Sequence, residues 1–245
     1  SGEDTFLSYD DAGQITAITV GSSATDTTPT ARDEFWYGPD GQRFLRKESW
    51  HDGSTLRESW TLYLQGGRFE EARPNFDSTT TFRQRVQVTD AVLHRFTKPA
   101  SSAGSASIEY VHRDHLGSVD ALTSGSGALV RSYAFDPYGD YRDSDWDADL
   151  SSADRLLVLG DLVTYQGRGY TDHESLGRTR FVHMNGRVYD PRIGRFVQAD
   201  PLVGRPDRAA NYNKYAYVLN DALSRQDPTG FDACDIDPGS TCGSV

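Results

Sequence analysis

FVHMNGRVYDPRIGRFVQADPLVGRPDRAANYNKYAYVLNDALSRQDPTGF runs from Phe181 to Phe231. It holds three Asp-Pro dipeptides: Asp190-Pro191, Asp200-Pro201 and Asp227-Pro228. Each Asp can accept backbone N–H bonds while the following Pro fixes φ, so each dipeptide starts a sharp turn. Between the turns lie aromatic, β-prone runs, Arg187-Val188-Tyr189 and Tyr215-Ala216-Tyr217-Val218. The stretch predicts short strands joined by tight corners.

Composition agrees with a β-rich chain. Of 245 residues, 36% are hydrophobic, 23 are Gly and 13 are Tyr, which favours strands and turns over helices. The length is enough to bury a real core. A formal net charge of −11 and a pI near 4.9 argue against nucleic acid as a partner, because phosphate binding needs a basic footprint. No apolar run reaches the length of a membrane span, and residue 1 does not begin a signal peptide. The chain opens on Ser1-Gly2 in mid-pattern and reads as a piece of something longer. The two cysteines, Cys234 and Cys242, sit near the end and cannot make a four-ligand zinc site. They read as a short loop disulfide or two free thiols.

Towards the N-terminus, repeats dominate. FLSYDDAGQITAIT (6–19) turns at Tyr9-Asp10 and Gly13, and Ile15, Ala17 and Thr19 then alternate with Thr16, Ile18 and Val20. Both sets hold apolar residues, so this strand is expected to be covered on both faces. FWYGPDGQRFLRK (35–47) has the same shape, with Gly38 after Tyr37. Between them, Gly21 to Thr30 reads as an exposed loop. Asp52-Gly53 and Gly66-Gly67 mark further hairpin turns. RQRVQV and AVLHRF, within 82–96, add strands, and Pro99 to Ser107 reads as a second flexible loop.

From Ile108 a longer signature appears. IEYVHRDHLGSVDALTSGSGALVRSYAFDPYGDYR rests on Tyr110, His112, Asp114, His115, Leu116, Gly117, Ser118, Tyr133, Asp136, Pro137, Tyr138 and Gly139. Gly125 to Gly127 makes a turn inside it. Ser144 to Val163 reads as an insert with room for one helical turn. GYTDHESLGRTRFVHMNGRVYDP follows, with Asp172 where a Gly is expected, and then the stretch quoted first. This order of motifs resembles the RHS repeat-associated core domain of RHS/YD-repeat proteins, as in the C components of toxin complexes and in polymorphic toxins. The likeness is strong over 108–231 and looser over 6–96.

The resemblance implies an all-β fold, a meander of YD-repeat hairpins curling into a spiral shell, or cocoon, with a C-terminal plug. Stacked hairpins cover one another's open edges. The implied division is a repeat strip at 1–107, the core domain at 108–231 and a short tail at 232–245, a remnant or the start of a C-terminal toxin or effector. The implied partners are that effector segment held inside the shell, the remaining repeats of the shell, and a secretion or toxin-complex component. The implied localisation is secreted, or delivered by a bacterial export machine, and cytoplasmic before export. No cofactor and no metal are implied.

The resemblance also implies self-cleavage by an aspartic-type mechanism. Matched residue by residue, the catalytic set is Asp200, Asp227 and Arg187, and the scissile bond is Phe231–Asp232. The chemistry is sound on its own terms. Two close carboxyls share a proton, one takes a proton from water, and its partner polarises the peptide carbonyl. A guanidinium fixes a carboxylate or steadies an oxyanion. A plainer reading stands beside each residue. An Asp-Pro is most often only a turn, and Asp190 and Asp136 are assigned to that role. His112 and His115 around Asp114, and His173 beside Asp172, read as turn and core contacts before a metal or base site. Tyr133, Phe135, Tyr138, Tyr189 and Phe196 read as core before a sugar-stacking platform. Ser118 and Ser132 have no adjacent base pattern. Two rival functions remain, a non-catalytic structural or adhesive module and a glycoside-active enzyme with paired carboxylates.

Overall fold

The structure, a computed structural model, describes residues 3–64, 67–73, 82–98, 101–142, 167–201, 209–231 and 233–235. Eleven strands follow one another in chain order: β1 (Asp4–Tyr9), β2 (Ile15–Gly21), β3 (Ala31–Tyr37), β4 (Arg43–Asp52), β5 (Thr55–Leu64), β6 (Phe69–Arg73), β7 (Phe82–Val88), β8 (Ala91–Lys98), β9 (Ser101–Arg113), β10 (Val119–Ser124) and β11 (Leu129–Ser132). They form one sheet in which each strand pairs antiparallel with the next. This is the meander that the alternating runs predict. Asp52-Gly53 joins β4 to β5, and Gly125 to Gly127 fall between β10 and β11.

The recurring turn is built by an aspartate. Asp10 Oδ1 accepts the N–H groups of Ala12 and Gln14 at 2.9 and 2.8 Å. Asp114 Oδ1 does the same for Leu116 and Ser118, and Asp136 Oδ1 for Tyr138 and Asp140. Each side chain thus satisfies two loop donors that the ladder leaves unpaired. Asp136 is the turn former its Asp-Pro context suggests.

Two local expectations are corrected. Ser101 to Ser107 is not a flexible loop but the first half of β9, with Ala106 opposite Arg95 and Ser105 opposite Phe96. Ladder bonds come from the backbone, so a Gly/Ser-rich sequence can be held by its neighbour strand. Tyr215 to Val218 is not a strand. Ala216 makes a single bridge to Arg195, and Val218–Asn220 is a 3-10 turn with positive φ at all three residues. Tyr217 is turned inward there to fill the aromatic core. The insert at 144–163, Asp232 and Cys242 lie outside the described residues.

The described residues after β11 pack as a plug against one face of the sheet. It comprises the hairpin β12 (Ala134–Phe135) and β13 (Tyr141–Arg142), and a four-stranded sheet of β14 (Glu174–Leu176), β15 (Phe181–Met184), β16 (Arg187–Asp190) and β17 (Arg195–Phe196). β18 (Arg225–Gln226) pairs with β19 (Cys234–Asp235). One core cluster joins Ile15, Ile18 and Phe35 of the large sheet to Leu176, Phe181 and Val188 of the plug. Ala17 and Ile18, neighbours in the regular part of β2 and so on opposite faces, are both buried, as the two apolar sets predict, while a bulge at the start of the strand turns Ile15 to the same side as Ile18. A second cluster is aromatic, with Tyr170, Tyr189, Phe196 and Tyr217 in mutual contact. Tyr133 and Phe135 also pack inside, so of the five candidate platform rings only Tyr138 is well exposed.

Polar contacts tie plug to sheet as firmly. Glu174 of β14 accepts Tyr63 Oη at 2.6 Å and Arg46 Nη1 at 3.0 Å, and it is bonded to Arg43. Arg46 also meets Asp33 at 2.7 Å, whose second oxygen accepts the Thr179 hydroxyl at 2.6 Å. These groups project from alternate positions of β3, β4 and β5, on the face the plug covers.

Candidate functional site

The site forms where β16, the turn after β17 and the DPTGF loop meet. Arg187 begins β16, and its side chain is 4% exposed. Its Nη2 lies 3.0 Å from Asp200 Oδ2 and 3.5 Å from Asp227 Oδ2. Its Nε donates to the Gly230 carbonyl, and its Nη1 donates to the Lys214 carbonyl at 3.2 Å. The guanidinium lies 3.7 Å from the centroid of the Phe196 ring. The structure therefore brings Arg187, Asp200 and Asp227 together around one cation. The geometry differs from a bare carboxyl pair, because a guanidinium sits between the two acids and offsets their repulsion.

Asp227 is held by its own loop. Its Oδ1 accepts the N–H groups of Gly230 and Phe231 at 2.8 and 3.0 Å. The ladder β18–β19 closes this loop from both sides, with Gln226 opposite Cys234. Phe231 lies inside the loop, and Asp232 falls outside the described residues. Only glycine suits position 230, where φ is +78°. A Cβ there would overlap the Met184 carbonyl oxygen and crowd Arg187 N and Gly186 N at 2.9 Å. The loop is also pinned at Pro228, whose carbonyl accepts from Asn185 Nδ2 at 3.0 Å and lies 3.3 Å from His173 Nε2.

Asp200 and Asp227 differ in access. Their side chains are 15% and 2% exposed, so water reaches Asp200 more readily. Both face Arg187 rather than each other across an open cleft, which lends nothing to the carbohydrate reading. Asp190 is the turn former expected, accepting Arg192 N at 3.0 Å and pairing with its side chain at 2.8 Å.

His173, read from the sequence as a turn and core contact before a metal or base site, packs against the same loop. It is buried, with Nδ1 2.9 Å from Thr171 Oγ1 and Nε2 facing Pro228. A carbonyl can only accept, so Nε2 carries the proton and Nδ1 accepts from Thr171. Burial, with the Arg168 guanidinium nearby, pushes its pKa down to about 4. The folded state keeps His173 neutral, whereas the unfolded chain takes up its proton below about 6.5. The unfolded state therefore binds more protons between these values, and stability is lost as pH falls through that window. The expected loss is on the order of 3 kcal/mol from this residue, and buried His183 adds to it in the same direction. Urea midpoints measured from about pH 7 down to about pH 5 should fall steadily, and less steeply in His173→Gln; an equal slope in the variant would remove the assignment.

The remaining histidines serve locally. His112 Nε2 lies 2.9 Å from Thr123 Oγ1, and His115 Nε2 lies 3.2 Å from the Leu223 carbonyl. Among the described residues no group of three or more His, Cys, Asp or Glu converges to hold a metal, and no helix is long and apolar enough to cross a membrane. Asp172 and Thr171 both have positive φ, 59° and 47°, which accounts for the Gly expected at 172.

No family model matches the chain. It is 25% identical over 121 residues to the tRNA nuclease WapA of Bacillus subtilis strain 168, covering 49% of this chain and 5% of that protein. It is 28% identical over 176 residues to the toxin protein Tse5 of Pseudomonas aeruginosa, covering 69% of this chain and 12% of Tse5. The uncharacterised protein YibJ of Escherichia coli K12 is 29% identical over 133 residues, with 54% of this chain and 49% of YibJ covered. The chain thus spans a small part of WapA and Tse5 and about half of YibJ. Among solved structures, the complex TcdB2-TccC3-Cdc42 superposes with a TM-score of 0.70 at 20% identity, over 93% of this chain and 10% of that one. TcdB2-TccC3 without its hypervariable C-terminal region gives 0.69 at 18%, over 92% and 10%.

Proposed function

We propose, from the premise that this chain is an RHS-repeat domain of the toxin-associated kind, that it closes a shell around a C-terminal effector and cuts its own backbone after DPTGF to free it. The observation that carries this reading is the Arg187 cluster. One buried cation touches both candidate carboxylates and the carbonyl of Gly230, one residue before the bond to be cut.

In this mechanism Asp200, the more exposed acid, takes a proton from an attacking water. The hydroxide adds to the Phe231 carbonyl carbon. Asp227 holds the loop by the N–H groups of Gly230 and Phe231, which fixes the carbonyl's direction. Arg187 offsets the negative charge gathered as the tetrahedral centre forms. The C–N bond then breaks, and the proton held by Asp200 passes to the departing amine of Asp232. Reaction within one chain draws its rate from orientation, on the order of 7–11 kcal/mol in favourable cases. One turnover is sufficient.

The shell's partners would be the effector segment after Phe231, the further repeats of the strip, and a toxin-complex or secretion component. Secretion or delivery by a bacterial export machine would follow synthesis in the cytoplasm. Intact mass of the purified chain tests the reading. Wild type is expected to end at Phe231, while Asp200→Asn and Asp227→Asn stay full length, slowed about 10²–10⁴-fold. A cut that persists in both variants would assign the cleavage to an outside protease. A full-length wild type would leave only the non-catalytic shell.

A further inference from the structure

Beside the DPTGF loop lies a cavity of about 400 Å³ that the cleavage chemistry does not use. Pro228, Thr229 and Phe231 form one wall, and the exposed turn at Asp40 and Gln42 forms the opposite rim. Among the groups that line it are Arg43, Tyr63, Arg168 and His183, all well buried. The volume falls within the range of small ligand sites.

This lining offers donors without acceptors. Arg43 spends Nη2 on Glu174, yet its buried Nε and Nη1 have no hydrogen-bond partner. Arg168 uses Nη1 on the Asp172 carbonyl and Nη2 on Gly67 and Glu70, yet its buried Nε has none. His183 lies 3.4 Å from Tyr37 Oη through Nε2, and its buried Nδ1 has none. In the tautomer that accepts from Tyr37, that nitrogen is a further donor. Behind Arg168, burial first and then the neighbouring Arg168 and Arg83 charges lower the Arg85 guanidinium to about 10, against the pull of Glu70. Among the described residues the only acid in the lining is Asp40, on the exposed rim, where its Oδ1 accepts Gln42 N at 3.1 Å. Buried guanidinium N–H groups left unpaired are costly, and an anion with two acceptor oxygens satisfies them.

We propose that this cavity is a binding site for a carboxylate of an acidic peptide segment. The wall argues for peptide, because it is itself the polypeptide on the upstream side of the proposed cut. The sequence that follows argues for acid: Asp232-Ala233-Cys234-Asp235-Ile236-Asp237 carries three carboxylates in six residues. On the shell reading, which supplies the occupant but not the site, a freed effector end would leave its ladder with β18 and dock here after its bond is broken.

Fluorescence polarisation on the full-length Asp200→Asn chain tests this separately from cleavage. The probe is a labelled, blocked peptide, Asp-Ala-Ser-Asp-Ile-Asp. It is expected to bind, and the same peptide with Asn for each Asp is expected to bind at least about tenfold more weakly, since the charge-assisted bonds to the guanidiniums are lost. Arg168→Gln should weaken binding similarly, with Arg168→Lys in between. Gln42→Trp, which fills the mouth from an exposed turn and leaves the buried charges alone, should weaken it with unchanged thermal stability. An unrelated peptide of Asp and Gly that binds equally well would support the site and make it general for acidic peptides. Equal binding of the Asn peptide, no binding at all, or binding untouched by Gln42→Trp would overturn the proposal. So would displacement by inorganic phosphate at concentrations where acetate does nothing. An uncut wild-type chain would sink the cleavage reading and leave this result standing.

Discussion

Arg187→Gln is expected to leave the chain uncut and to lower its stability by about 3–5 kcal/mol. The side chain is almost fully enclosed, and it reaches Asp200, Asp227 and the carbonyls of Gly230 and Lys214. Without it, the Asp227 carboxylate stays 2% exposed and its Oδ2 loses the Arg187 contact, and two carbonyls lose a donor. Loss of folding and loss of chemistry then need separating, and two further variants do so. Arg187→Lys keeps the charge but not the fork that reaches several acceptors at once. It should recover much of the stability and little of the cleavage. Asp200→Asn, at a more exposed site, should fold within about 1.5 kcal/mol of wild type and still remain uncut. Intact mass and urea unfolding read both quantities. Cleavage by Arg187→Gln at the wild-type rate would remove the arginine from the mechanism.

The same aspartate geometry explains why the sheet was more legible than the site. Asp10, Asp114, Asp136 and Asp227 all stand three residues before a glycine, and all use Oδ1 to hold loop N–H groups. By local pattern Asp227 is one turn former among several. What sets it apart is its second oxygen, which meets Arg187 across 40 residues of sequence. No local spacing encodes that contact, and only the likeness to RHS core domains pointed to it. Alternation in β2 and the Asp-Gly and Gly-Ser-Gly turns, by contrast, are local signals, and the meander follows them. Where ladder partners or core filling decide, as at Ser101–Ser107 and Tyr215–Val218, the local reading fails.

The charged residues of the inner face were illegible for a related reason. Arg43, Arg46 and Glu48 on β4 look like a solvated strand edge, since charges in strands usually face water. They are buried because the plug, more than a hundred residues later, lays Glu174 over them. Glu174 is held well below the usual carboxylate range by Arg43, Arg46 and the Tyr63 hydroxyl, which outweigh its burial.

Glu174→Gln therefore carries the second large effect. It keeps the volume of the side chain and removes the charge from between two enclosed guanidiniums. The expected cost is about 3–5 kcal/mol, because breaking one member of a buried ionic set leaves the others uncompensated. In a chain of this size that is a fall in Tm on the order of 10 °C. The destabilisation should be specific to the joint between plug and sheet, because Glu174 is the plug's contact to both arginines. Hydrogen exchange should accordingly rise in β14 and β15 before it rises in β8 or β9. Pairing Glu174→Gln with Arg43→Gln is expected to cost less than the sum of the two single changes, because the second removes a charge that the first left stranded. If the two changes simply add, Glu174 and Arg43 are energetically independent.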